Sequence, residues 1–204
     1  IWYQSDYYAP NPVKELLRYH WAYSIVYYIG DELRELAIHN DPVPELNNPW
    51  EFRIIRKKAD SGDLNAMLLL GAALMYGIRG HAGEQKEALK WLKQVSHHEH
   101  PTAYILLGDA YRRGCGVKKD HAKAVEFYHK AIELDYILGY YNMALMYSKR
   151  RGVHRDLVKA LAYYIVANEV LDDFFDDIEE QISNLRSKLT DKEVRSATEL
   201  ANSI

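Results

Sequence analysis

Part of this sequence is a copy of another part of it, and that limits the fold more than any motif does. Leu107-Gly108-Asp109-Ala110-Tyr111 returns as Met143-Ala144-Leu145-Met146-Tyr147, a shift of 36 residues. The same shift carries Gly116-Val117 onto Gly152-Val153, Lys123-Ala124 onto Lys159-Ala160 and Phe127-Tyr128 onto Tyr163-Tyr164. An earlier copy follows with a slip of one residue: Ala66 and Leu70-Gly71 align with Ala103 and Leu107-Gly108, then Ala88 and Trp91-Leu92 with Ala124 and Phe127-Tyr128. A unit of this length holds two short helices and a turn, too little to bury its own apolar face, so units must stack. Between turn signals the segments read as helix and none reads convincingly as strand. The expected fold is all-α, a right-handed α-solenoid of antiparallel helix pairs.

The small residues carry the physics of each pair. Ala103, Gly108 and Ala124 fall where two helices approach closely, with Tyr111 and Phe127 filling the space beside them. Gly114 and Gly116 suit a tight turn that needs positive φ. Outside the periodic region, Asn11-Pro12 is a helix start, giving a helix to Ile29 that stops at Gly30 and a shorter one from Asp31 to about His39. Asp41 to Asn48, with two prolines, reads as linker. The expected organisation is an N-terminal helical cap and linker over 1–48, about three helix pairs over 49–170, and closing helices over 171–204.

Composition narrows the function. Net charge is −3 and the pI is near 6.3, against the basic excess with which nucleic-acid binders neutralise phosphates. The 17 tyrosines suit both interhelix packing and interfaces. The longest apolar stretch, Trp21 to Ile29, is far shorter than the roughly 20 residues of a membrane span. The single Cys115 allows no internal disulfide. The sequence begins at Ile1, which makes a removed secretory signal one expectation, and with it a periplasmic or membrane-associated location, the alternative being cytoplasmic.

The strings Ala59-Asp60-Ser61-Gly62-Asp63-Leu64-Asn65-Ala66-Met67-Leu68-Leu69-Leu70-Gly71 and Leu107-Gly108-Asp109-Ala110-Tyr111-Arg112-Arg113-Gly114-Cys115-Gly116-Val117-Lys118-Lys119-Asp120-His121-Ala122-Lys123-Ala124 closely resemble Sel-one-like repeats, relatives of the tetratricopeptide repeats. The resemblance covers roughly residues 52 to 170. The first copy departs at Leu74, where the family prefers tyrosine, and in its irregular turn from Ile78 to Gly83. The third departs at Ala144 and Arg150, where glycine is usual. Leu189-Thr190-Asp191-Lys192-Glu193-Val194 looks like the start of a closing helix.

The resemblance implies adaptor work through protein contacts, without catalysis or cofactor. Small bacterial members include immunity proteins that cap secreted phospholipase toxins of type VI secretion systems, and that role is the specific expectation. The competing classes are a general adaptor in an envelope complex and an enzyme acting on cell-wall-type ligands. In the family, first-helix positions just after the small alanine are usually polar and face the concave surface. Here they are Met67, Tyr104 and Tyr140, with Leu69, Leu106 and Asn142 two residues on. Apolar side chains at such positions suggest a binding stripe one repeat apart, with Asp109 and Arg112 as its polar rim.

Other candidates have ordinary readings. His97, His98 and His100 before Pro101 form a solvated turn or a metal site without a closed ligand set. Cys115 lacks a motif that would activate a nucleophile, and no phosphate loop or dinucleotide fingerprint occurs. Asp172, Asp173, Asp176, Asp177, Glu179 and Glu180 favour a helix N-terminus or form an acidic patch, with Phe174 and Phe175 among them as core. Two equivalent turns are basic, Arg112, Arg113, Lys118 and Lys119 in one and Lys149, Arg150, Arg151 and Arg155 in the next. They are either simply solvated or an edge that steers an acidic partner or an anionic surface. Trp2, Tyr3, Tyr7 and Tyr8 would suit a membrane-associated complex.

Overall fold

The computed structural model describes residues 49–76, 84–171 and 178–204. Among these there are nine helices and no strand: α1 (Pro49–Asp60), α2 (Leu64–Tyr76), α3 (Gln85–Ser96), α4 (Pro101–Arg113), α5 (His121–Ile132), α6 (Ile137–Ser148), α7 (Leu157–Leu171), α8 (Ile178–Arg186) and α9 (Asp191–Ala201). The closest partners are α2 with α3, α4 with α5 and α6 with α7, the three pairs set by the repeat. Each pair rests on the next through α3 with α4 and α5 with α6. At the ends, α1 packs on α2, while α8 and α9 both pack on α7. The cap and linker over 1–48, the turn from Ile78 to Gly83, and the residues from Asp172 to Asp177 lie outside the described residues.

One continuous core runs the length of the stack. Its contact points are the small residues: Ala103, Ala124, Ala131, Ala160 and Ala167 are all fully buried. A Cβ on Gly108 would stand 2.5 Å from the Tyr128 ring, so the two helices of that pair are closer than alanine permits. The first helices carry apolar side chains all round, as helices enclosed by neighbours do. Ten of the 13 residues of α2 are buried, and α4 touches α2 and α3 as well as its own partner α5.

Helix ends recur with the repeat. Asp120 caps α5 by accepting from the Lys123 N–H at 3.1 Å, and Asp156 caps α7 by accepting from the Lys159 N–H at 2.9 Å. At α9, Thr190 and Glu193 form a reciprocal capping box. Glu179 and Glu180 occupy the first turn of α8, where the helix dipole favours acidic groups.

The turn after α4 bends through Gly114 at φ +84°, and the equivalent turn after α6 does so through Arg150 at φ +52°. Left-handed backbone costs a non-glycine residue about 1–2 kcal/mol. Part of that is returned by the lower unfolded-state entropy of arginine relative to glycine. Arg150→Gly is therefore expected to stabilise the chain by roughly 0.5–1 kcal/mol, read as a higher urea midpoint at unchanged slope. An unchanged or lower midpoint would show that the arginine side chain stabilises that turn.

Candidate functional site

Tyr104 and Tyr140 each lie against the second helix of their own pair, and Met67 is half-buried against the core. The Tyr104 ring stacks on Phe127 at 6.3 Å, and Phe127 stacks on Tyr111 at 5.6 Å. One repeat on, Tyr140 meets Tyr163 at 5.9 Å and Tyr163 stacks on Tyr147 at 5.7 Å. The first pair has Met67, Leu74 and Trp91 at the matching sequence positions. These triads form part of the flank of the stack: Met67, Trp91, Tyr104, Tyr111, Phe127, Tyr147 and Tyr163 are half-buried against the core, Tyr140 keeps 8% exposure and Leu74 none.

Lysines cover the rings. Lys123 Nζ lies 5.4 Å from the centre of Tyr111, and Lys159 Nζ, its repeat counterpart, 5.5 Å from Tyr147. Lys130 lies 5.6 Å from Tyr104 and 5.8 Å from Phe127. The flank is thus aromatic underneath and cationic on top, the geometry of cation–π contact. The Tyr104 hydroxyl donates to the Ser96 carbonyl at 3.1 Å, which ties α4 to the end of α3.

Four residues expected on the binding stripe or its rim are buried inside the chain, which corrects that expectation. Leu106 and Asp109 have no exposed surface and Asn142 has 1%; Leu69 keeps 9%. The cause is the enclosure of the first helices, whose faces are used up by the neighbouring helices. Asn142 is turned to its own helix, where its side-chain N–H donates to the Leu138 carbonyl at 2.9 Å. Asp109 and Arg112 form no rim either. Asp109 accepts from the Tyr128 hydroxyl at 2.8 Å, the Tyr76 hydroxyl at 3.2 Å, and Arg112 Nε and Nη2 at 3.0 and 2.8 Å. Arg112 Nε also donates to the Tyr128 oxygen at 3.1 Å, and the Arg112 side chain is 11% exposed.

This cluster ties three helices of two successive pairs, Tyr76 from α2, Asp109 and Arg112 from α4, and Tyr128 from α5. Burial, then the charge on Asp109, pushes both phenols well above the ordinary tyrosine range. Against its own burial, Arg112 is held protonated by Asp109 and Tyr128. The arrangement joins repeats; it does not offer a reactive group to solvent.

The remaining candidates are similarly occupied. Burial pushes the Cys115 thiol up, away from the reactive thiolate. His97 and His98 are exposed while His100 is half-buried, and burial lowers its basicity. Among the described residues, no three His, Cys, Asp or Glu side chains are grouped to hold a metal, and no helix is long and apolar enough to cross a membrane.

Sequence reasoning found one member of each triad through Met67, Tyr104 and Tyr140, and placed Tyr111 and Phe127 as packing. It missed Tyr147, Tyr163 and the lysines as parts of the same surface. The signal was available, because Tyr104, Tyr111, Lys123 and Phe127 recur together as Tyr140, Tyr147, Lys159 and Tyr163.

Several known proteins resemble this chain. The Sel1 repeat model matches residues 64–95, 101–136 and 137–169. Over 148 residues the chain is 30% identical to the ERAD-associated E3 ubiquitin-protein ligase component HRD3B of Arabidopsis thaliana, covering 72% of this chain and 22% of that protein. HRD3A of the same plant is 33% identical over 66 residues, 32% of this chain and 10% of that one. The chain therefore spans about a fifth or less of these relatives. Among solved structures, c5321, a protective antigen present in uropathogenic Escherichia coli strains and displaying an SLR fold, superposes with a TM-score of 0.65 at 28% identity, over 76% of this chain and 32% of that one. A Sel1 repeat protein from Oxalobacter formigenes does so with a TM-score of 0.52 at 26% identity, over 57% and 88%. The helix pairs coincide with the matched repeats, and the chain belongs to the Sel1 repeat family, whose repeats serve as protein-binding scaffolds.

Proposed function

We propose that the chain is a non-catalytic adaptor that holds a polypeptide partner against the aromatic flank of its repeats. The observation carrying this reading is the triad repeated on successive pairs, Tyr104–Phe127–Tyr111 and Tyr140–Tyr163–Tyr147, of whose six rings five are half-buried and only Tyr140 is buried, with lysine over each triad. Rigid aromatic side chains supply contact area at low entropic cost, and tyrosine and arginine are enriched among the residues that dominate interfaces. Of the residues first expected to bind, Met67, Tyr104 and Tyr140 remain in the proposed site. An adaptor role is further supported by the similarity to HRD3B, a component of a ubiquitin-protein ligase.

The test is partner capture by the full chain from its native organism. Phe127→Gln with Tyr163→Gln, both on the half-buried flank, is expected to cut capture roughly tenfold or more while the chain keeps its cooperative melt. Undiminished capture, or turnover in a panel of hydrolase substrates, overturns the reading.

The second reading is an immunity protein in the bacterial envelope that neutralises a secreted type VI phospholipase toxin, supported by the similarity of the fold to bacterial Sel1-repeat structures. It requires the captured partner to be such a toxin, encoded beside this chain and bound with about nanomolar affinity or better. A partner of any other kind discards it and leaves the adaptor reading in place.

A further inference from the structure

We propose that the edge built by the turns after α4 and α6 binds an acidic peptide segment, with its main seat in the depression beside Tyr111. The proposal rests on the protein-binding reading and names the chemistry of the partner. A depression of about 620 Å³ opens there, lined by Tyr111, Val117, Lys118, Lys119, His121 and Lys123 and by one acidic residue, Asp120. Asp120 is committed, because its carboxylate accepts the Lys123 backbone N–H as the cap of α5. Lys118, Lys119 and Lys123 are exposed.

The next turn brings a second set of cations to the same place. Gly152, at φ +72°, lies so close over the start of α5 that a Cβ there would run into the His121 carbonyl. Gly116 lies in the same way over the Gln85 carbonyl at the start of α3. Each basic turn is therefore laid across the second helix of the preceding pair. The electrostatics agree: after its own burial, Lys119, Arg151 and Arg112 each lower the basicity of His121, against Asp120, which raises it, so cations from both turns lie near it. Residues 111–123 hold five Lys or Arg, of which Arg112 is paired inside with Asp109, leaving four against the single Asp120, and residues 147–159 hold five against the single Asp156. Asp156 is also a helix cap. In a chain of net charge −3, this is a pronounced local excess of positive charge.

The chemistry favours a peptide over other anions. The ring of Tyr111 already has Phe127 against it and Lys123 over it, at 5.6 and 5.4 Å, which leaves no free platform for a stacked base. The large exposed apolar residues among those described are Ile54, Leu134 and Ile204, and none lies on this edge to enter a bilayer. The first turn leads into α5 and the second rests on the start of α5, so an extended chain, advancing about 3.3 Å per residue, would meet both with acidic groups a few residues apart.

The probe is a fluorescein-labelled peptide of about twelve residues with glutamate at every third position, beside one with glutamine there. Fluorescence anisotropy with the full chain is expected to show binding of the glutamate peptide alone, weakening roughly tenfold or more between about 50 and 300 mM salt. Lys118→Glu, Lys119→Glu and Lys123→Glu together should raise Kd at least about tenfold, while the exposed pair Lys188→Glu and Lys192→Glu, outside both basic turns, should not. Equal binding of the glutamine peptide, indifference to the triple reversal, or equally tight binding of single-stranded DNA or phosphatidylserine vesicles overturns the proposal. Native-partner capture that survives the triple reversal and high salt sinks this inference and leaves the adaptor reading standing. Loss of capture on changing Phe127 and Tyr163 is the separate signature of that reading.

Discussion

Asp109→Leu is expected to destabilise the chain by about 3–5 kcal/mol, the larger part of it through what is left behind. The carboxylate has no exposed surface and is the common acceptor for Tyr76, Tyr128 and Arg112. Removing it takes the Asp109 ion pair from a guanidinium whose side chain is only 11% exposed and takes that carboxylate from two buried phenols. Losing one partner of a buried pair costs more than the pair was worth. The third repeat shows the alternative, because 36 residues on from Asp109 and Arg112 stand Leu145 and Ser148. Placing that combination in the second repeat, Asp109→Leu with Arg112→Ser, should recover at least about half of the loss, since both charges then leave the interior together. The remainder reflects the phenol hydroxyls without the carboxylate, about 1–3 kcal/mol for each one left unsatisfied. Urea unfolding of the parent, both single variants and the double variant measures the coupling. A double variant that loses the sum of the single losses would show that the cluster does not act as a unit.

That cluster marks where the sequence stopped being readable. The pairs, their order and their closest contacts follow from local spacing, because the repeat fixes which small residue meets which helix. Ala103, Gly108 and Ala124 could be placed in this way, and so could the turn at Gly114. Whether a first-helix side chain faces a partner or the next helix is a different kind of fact. It depends on how many neighbours enclose that helix, and spacing within one repeat does not encode that number. Asp109 looks like a rim residue from its chemistry, since an isolated aspartate belongs in water. It becomes a core residue because Tyr76 arrives from the preceding pair, 33 positions earlier. Leu106 and Asn142 were open to the same misplacement. The triads were recoverable in principle, but only if the lysines were followed through the repeat along with the aromatics.

Gly108→Ala is expected to cost about 2–3 kcal/mol, at the upper end for an overpacked core, although alanine is the better helix former by about 1 kcal/mol. The added carbon would lie 2.5 and 2.8 Å from Cε1 and Cδ1 of Tyr128. That ring cannot swing aside without breaking its hydrogen bonds, 2.8 Å to Asp109 and 3.1 Å from Arg112. Gly71, the same position one repeat earlier, offers the comparison: its added carbon would meet Cγ and Cδ2 of Leu92 at 2.8 Å, a buried aliphatic side chain with no hydrogen bond to hold its rotamer. Gly71→Ala should therefore cost no more than about 1 kcal/mol once the helix propensity is counted. In the third repeat the position is already Ala144, opposite Tyr164, and the aspartate is replaced by Leu145. Tyr164 there meets Tyr141 edge-on at 5.8 Å. The contrast implies that the glycine is needed because the aspartate pins the ring, and it gives a decisive experiment. Measured in an Asp109→Leu background, the penalty for Gly108→Ala should fall by at least about 1 kcal/mol. If it does not, the helix approach alone sets the requirement, and the hydrogen-bonded ring has no part in it.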